Sequence, residues 1–375
     1  MRHKIKRSPF GERFLFLLNA YFLIFALVKK VDYIVVGSGL AGIMFCDVLQ
    51  QNNKSFVVFD DGSQQSSVVA GGLYNPVVLK RFTSVWKSKE QLELALPRYH
   101  ALESQLGVKL DYKISVYRLF ASIEEQNNWF LACDKPGLND YLKPEILHTN
   151  EPSVKSDFGF GEVIDTGRID TTTLIDSFKS ILKEKDSLVQ DSFLHDKLEF
   201  SSERVQYKSI SAKYIVFAEG FGLKRNPYFN HLPLKGTKGE LLVIHAPELK
   251  LDFVLKSGAF LIPLGDDKYI VGATYEWTDK TNNTTVKAKE ELETKLKSFI
   301  NCDYEVIDQI AGMRPTVIDR RPLVGQHSNH KQLFVLNGLG TRGVMIAPYV
   351  AKQLFNFIEN GTQLDTEIAI DRFSN

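Results

Sequence analysis

The chain has 375 residues, 44% hydrophobic and 24% charged, with a formal net charge of +1. That is enough apolar material for one large domain or two intimate ones, in the proportions of an ordinary soluble globular protein. Residues 1–30 hold seven of the 46 basic residues and one of the 45 acidic ones, leaving 39 against 44 elsewhere; a mildly acidic body lacks the basic face that phosphate contacts need and argues against a nucleic-acid partner.

Cys46, Cys133 and Cys302 show no paired spacing, and the eight histidines form no pair at ligand spacing, so neither a disulfide framework nor a metal site is expected. In chain order, Arg2, Lys4, Lys6 and Arg7 precede an apolar run from Phe14 to Val28, interrupted by Asn19. A bilayer-spanning helix wants roughly 20 apolar residues, more than this run supplies. A small-residue cleavage site and a twin-arginine pair are both missing, which speaks against a signal peptide. Three readings stay open for residues 1–30: a weak anchor, an extension packed on the body, or sequence translated from upstream of the true start. The last is favoured, because Val28-Lys29-Lys30-Val31-Asp32-Tyr33 reads as the opening of a first strand and a valine codon can start a bacterial protein. Membrane contact is expected only through residues 14–28, and the protein is expected in the cytoplasm.

Tyr33-Ile34-Val35-Val36 is a β-branched apolar run of the kind that forms a buried parallel strand. Gly37-Ser38-Gly39-Leu40-Ala41-Gly42 follows at once, then Ile43, Phe45, Val48 and Leu49 at helical spacing. In this arrangement the first glycine permits the turn, the second lets backbone approach a pyrophosphate, and the third lets helix pack on strand. The helix N-terminus adds unpaired N–H groups and the positive end of its dipole. The next strand, Phe56–Phe59, ends on Asp60, a carboxylate placed to accept the ribose hydroxyl protons of an adenosine. The unit predicts a dinucleotide and leaves NAD and FAD equally open.

Further along, helices are predicted at 88–106, around Pro97, and at 122–132, a strand at Val163–Asp165 and a helix at Thr171–Lys185. Short strands at 187–217 end in Ala218-Glu219-Gly220. The pattern then turns strand-rich, with Glu240–His245, Phe253–Lys256, Phe260–Leu264 and Tyr269–Gly272. A charged helix follows at Val286–Ile300. The strand Leu333–Leu336 leads through Asn337-Gly338-Leu339-Gly340-Thr341-Arg342-Gly343 into a helix at 344–358.

Six blocks in this order resemble the FAD-dependent D-amino-acid oxidase and glycine oxidase superfamily over nearly all of residues 31–360. They are the glycine loop; Asp60; Ser66-Ser67-Val68-Val69-Ala70-Gly71-Gly72-Leu73; Ala218-Glu219-Gly220; Gly312-Met313-Arg314-Pro315; and Gly338–Pro348. The last is most similar to the oxidase half of the bifunctional enzymes that complete methylaminomethyl groups on the wobble uridine of tRNA, whose methyltransferase half has no counterpart here. The resemblance implies an α/β fold. A Rossmann-type FAD-binding domain, built from 31–85, 150–225 and 308–375, would interleave with a smaller α+β substrate domain on an antiparallel sheet, built from 86–149 and 226–307.

It also implies roles. FAD would lie along Gly37, Ser38, Gly39, Leu40, Ala41, Gly42 and Asp60, with Ser66, Ser67, Ala70, Gly71, Gly72 and Gly220 close to it. Gly340, Thr341, Gly343 and Val344 would open a helix toward the flavin's pyrimidine end, where negative charge grows on reduction. Arg314 would hold a substrate carboxylate bidentately and so fix the reacting carbon; the structural alternative is an ion pair with Asp319. Arg342 would stand beside flavin or substrate, and Tyr275 would cap the pocket. Asn75-Pro76 and Lys80-Arg81 are softer candidates for meeting a substrate anion. Members with covalent flavin carry a cysteine near the Gly312–Pro315 position. The nearest here is Cys302, so FAD is expected to be non-covalent.

The activity implied is oxidation of the C–N bond of a small amino acid or N-substituted glycine, with hydride passing to flavin N5 and the imine then hydrolysed. Electrons would leave to oxygen or another acceptor, and no general base stands out. Two alternatives are an oxidase-like activity on the tRNA wobble-uridine side chain and a non-catalytic, membrane-associated flavin protein.

Overall fold

The computed structural model describes residues 28–148 and 151–373, so the apolar run from Phe14 lies outside the described residues as far as Leu27. The helices among them are α1 (Leu40–Gln51), α2 (Ser88–Leu106), α3 (Ile123–Cys133), α4 (Thr171–Glu184), α5 (Val286–Lys297) and α6 (Gly343–Asn360). None is long and apolar enough to cross a membrane.

Two sheets organise the chain. The first has a parallel centre in the order Leu188–Val189, Phe56–Phe59, Lys29–Val36, Ile210–Phe217 and Leu333–Asn337. Tyr33, Ile34 and Val35 are fully buried, because helices and loops cover both faces of such a sheet. On one face α1, α2 and α6 share a core with Tyr33, Val35 and Val58; on the other, Ile34, Val57 and Phe217 pack under Phe229, Leu232 and Leu234. Helix α4 begins at an Asp170 cap, whose carboxylate accepts the Thr173 N–H at 3.1 Å. It buries Leu174, Phe178 and Leu182 at helical spacing, which turns Lys179 outward from that core.

The second sheet runs Glu305–Arg314, Thr237–His245, Lys268–Gly272, Phe260–Gly265, Val254–Lys256, Val116–Leu119, Phe160–Val163 and Leu142–Leu147. It is antiparallel except where Val254–Lys256 runs parallel to Val116–Leu119. Successive residues of a strand face opposite sides. Leu242, Ile244, Leu255, Leu261 and Val271 point to one side and pack with Leu292 and Leu296 of α5. Their neighbours Leu241, Val254, Ile262 and Ile270 face the other side and pack with Val77, Leu79 and Phe82.

The element borders differ from expectation in a few places. Instead of one strand at 163–165, two strands (Phe160–Val163 and Gly167–Ile169) flank a turn in which Asp165 has φ 56. Helix α5 stops at Lys297 rather than Ile300. The larger differences concern which sheet a segment joins. Helix α2, expected with the smaller domain, packs Leu92, Ala95, Tyr99 and Leu102 into the core of α1 and α6, and the Tyr99 hydroxyl donates to Val344 O at 2.8 Å. Residues 229–234 also belong to the parallel sheet's core. Strands Phe160–Val163 and Glu305–Arg314, expected largely with the FAD-binding segments, belong to the antiparallel sheet. Apolar periodicity marks a buried face without saying which core receives it.

Candidate active site

A cavity of about 1340 Å³ lies between the two sheets. Small-molecule sites usually span roughly 300–1,000 Å³, so this one has room for a dinucleotide and a second small molecule. It is lined by every residue expected to hold FAD or substrate except Gly42, and by the softer candidates Asn75, Lys80 and Arg81 but not Pro76.

The glycine loop forms one end. Gly37 sits at φ +100, and a Cβ there would lie 2.4 Å from Ala218 O. A Cβ on Gly42 would stand 1.9 Å from Gly37 O, so Gly42 keeps α1 against the strand while Gly37 to Ala41 face the cavity. The N-cap of α1 is Gly39, with no side-chain cap, and Ser67 Oγ accepts the Leu40 N–H at 3.1 Å. Asp60 accepts from Ser38 Oγ at 2.5 Å and from Lys179 Nζ at 2.6 Å. Lys179 was not legible in the sequence, because a lysine on the polar face of a helix is indistinguishable from a solvated one. Glu219 is held by His195 Nε2 at 3.0 Å and Asn226 Nδ2 at 2.7 Å.

At the other end, Gly340, Thr341, Gly343 and Val344 present the start of α6 to the cavity, with Arg342 as an N-cap lacking a side-chain cap bond. Uncapped N–H groups and a helix dipole at that position favour negative charge. The segment from Ser66 to Gly72 runs along the wall between the two ends. The loop, the small-residue wall and the two open helix starts fit an FAD laid from one end to the other. No cysteine lines the cavity among the described residues: Cys46 and Cys133 are buried, and Cys302 packs behind the second sheet with Tyr304 and Val306.

Arg314 ends its strand with the guanidinium laid across Gly239, where a Cβ would meet Nη2 at 1.9 Å. Its Nη1 donates to Thr274 O at 3.2 Å, and its Cζ stands 4.8 Å from the centre of the Tyr275 ring. The alternative partner Asp319 is taken instead by Arg372, at 2.8 Å. Arg342 lines the same space. Burial lowers the pKa of both guanidinium groups. Neither has a carboxylate at ion-pair distance among the described residues, and desolvated cations without an acid attract an anion. Tyr275 is 61% exposed and stands at the rim. Asn75 Oδ1 accepts the Val77 N–H at 2.8 Å in a turn, while Lys80 and Arg81 are exposed on the cavity wall.

Residues 32–356 match the family described as DAO, FAD dependent oxidoreductase. The chain belongs to this family. It is an FAD-dependent oxidoreductase, with FAD as its cofactor. Glycine oxidase of Bacillus subtilis (strain 168) is 22% identical over 353 residues, 88% of this chain and 94% of that protein. A tRNA 5-methylaminomethyl-2-thiouridine biosynthesis bifunctional protein of Nitrosospira multiformis is 25% identical over 166 residues, 40% of this chain and 27% of that one. Among solved structures, iminodiacetate oxidase from Chelativorans sp. BNC1 superposes with a TM-score of 0.75 at 16% identity, covering 92% of this chain and 98% of that chain. The shared fold is that of an FAD-binding unit joined to a substrate unit.

Proposed function

We propose that the enzyme oxidises the C–N bond of an amino acid or N-substituted glycine whose carboxylate is held by Arg314. The observation that carries this is the pair of buried guanidinium groups, Arg314 and Arg342, facing one cavity without a carboxylate of their own. The names of the relatives, glycine oxidase and iminodiacetate oxidase, point to the same substrate class. In this reading the parallel-sheet unit holds the dinucleotide through Gly37–Ala41 and Asp60, non-covalently, and the antiparallel sheet forms the substrate's floor. FAD bound there supplies the acceptor for the hydride removed from the substrate carbon.

The chain's own residues orient the substrate and shield it. Arg314 takes the carboxylate through two parallel hydrogen bonds, which leaves the α-carbon little freedom to turn. Gly239 makes room for the guanidinium, and the Tyr275 ring covers its outer side. The acidic residues lining the cavity, Asp60, Asp61, Asp191 and Glu219, belong to the nucleotide end, and so does the lining histidine, His195. With no carboxylate or imidazole beside Arg314 among the described residues, the amine must arrive neutral, its proton left to solvent. Mixing the FAD-loaded protein anaerobically with amino acids and N-alkylglycines tests the reading: at least one should bleach the flavin absorbance. A panel in which none does would remove amine oxidation.

A further inference from the structure

The substrate floor carries a second cation that the reading above leaves unused. Lys256 ends the strand Val254–Lys256, after two fully buried residues. Its Nζ donates to Ser257 O at 2.9 Å and stands 4.6 Å from the centre of the Phe260 ring. The charged groups that act on it are all cations: Arg118, Lys295 and Lys80. Arg118 is committed to Glu125 and Lys295 to Glu291, each at 2.5 Å, which leaves Lys256 without an acid among the described residues. Burial first, then those cations, pull its ammonium down to about 8. A charge kept at such a cost, on the wall of a ligand cavity, lacks its counter-ion.

Strand register gives its distance from Arg314. Lys256 is opposite Phe260, Phe260 is opposite Gly272, and Gly272 is opposite Leu241. The Arg314 guanidinium lies on Gly239, two residues along from Leu241. With Nζ above Phe260, the two cations stand two strand spacings across and two residues along one sheet face, about 12 Å apart. The floor between them is apolar, formed by Phe260, Gly272 and Leu241.

We propose that the substrate carries two anionic groups, a carboxylate on Arg314 and a second carboxylate on Lys256, joined by a short apolar chain. Hydrogen-bond lengths at both ends leave about 5–8 Å between the two carboxylate carbons, or three to five intervening atoms. This deepens the proposed function and rests on it for the chemistry at the nitrogen.

The test uses inert ligands on the FAD-loaded protein. The α,ω-dicarboxylates from succinate to suberate are titrated against monocarboxylates of equal length, with perturbation of the flavin spectrum as the readout. Affinity should peak between glutarate and pimelate, about ten-fold above the matched monocarboxylate, the worth of one added charge-assisted contact. Lys256→Met should bring the dicarboxylates down to the monocarboxylates, Lys256→Arg should keep the preference, and Arg314→Ala should weaken both series. A series without a length optimum in the native protein overturns the proposal, as does a Lys256→Met protein that keeps the optimum. If dicarboxylates bind with the expected optimum while no amine bleaches the flavin, the two-anion site stands and the oxidation reading falls.

Discussion

The two ends of the cavity are built by different means. The nucleotide end is mostly backbone: a turn at Gly37, a helix start at Leu40, and a contact between Gly42 and Gly37 O closer than any side chain tolerates. The substrate end is mostly side chain, projected from five adjacent strands between residues 237 and 314. Backbone cradles recognise what every dinucleotide shares; side chains on a sheet face choose among substrates. Substitutions should therefore remove the cofactor at one end and change selectivity at the other.

The largest effect is expected at the loop. Gly42→Ala places a methyl 1.9 Å from Gly37 O and must part α1 from the first strand. Less than about 10% of the flavin should copurify, since overpacking there costs several kcal/mol. A yellow, stoichiometric Gly42→Ala protein would break the contrast at its strongest point. Next comes Arg314→Ala, which should keep its flavin spectrum yet lose about 10²–10³-fold in kcat/KM for carboxylate substrates, the worth of a buried bidentate charge contact. An equal loss for a carboxylate-free amine would show that Arg314 supports the fold instead.

Lys256 offers a sharper test, because it predicts a gain. Its ammonium is depressed from the ordinary 10.5 to about 8. The folded state therefore binds fewer protons than the unfolded one between those values, and its stability rises with pH there. Below about 8 the full penalty is present, on the order of 3 kcal/mol. Lys256→Met should thus unfold at higher denaturant than the native protein at pH 7, with the gap closing from pH 8 to 10.5. A gap independent of pH would remove the burial argument.

Two smaller effects remain. Asp60→Asn takes the carboxylate from Ser38 and Lys179, and FAD affinity measured by fluorescence should fall about ten-fold. An unchanged affinity would free Asp60 from the nucleotide. Tyr275→Ala removes a ring 4.8 Å from Arg314 at an exposed rim. It should raise KM about two- to five-fold, in line with an exposed cation–π contact; a loss of kcat instead would move Tyr275 inward.

The same contrast explains what could be read before the fold was known. Gly37, Gly39, Gly42 and Asp60 fall within two dozen residues, and their spacing is itself the geometry of a strand, turn and helix. Arg314 was visible through the motif around it. Lys256 and Lys179 were not: each is a single lysine whose meaning depends on what faces it. For Lys256 that is Phe260 across one strand pair and Arg314 on the third strand past it. A signal was present in retrospect, a lone charge closing the apolar run Phe253-Val254-Leu255. The placement of α2 escaped for the same reason, since its apolar stripe fits either core equally well.

The alternation along the substrate sheet has a consequence for how this enzyme can change. Leu242, Leu255, Leu261 and Val271 hold α5 on one side, and the adjacent Leu241, Lys256, Phe260 and Ile270 line the cavity on the other. Mutational steps at the second set leave the first untouched, so new substrates can be tried without first accumulating spare stability. A combinatorial library confined to those four inward positions should yield a high fraction of flavin-loaded, folded proteins with altered preference. The same number of changes in the outward set should yield mostly unfolded ones.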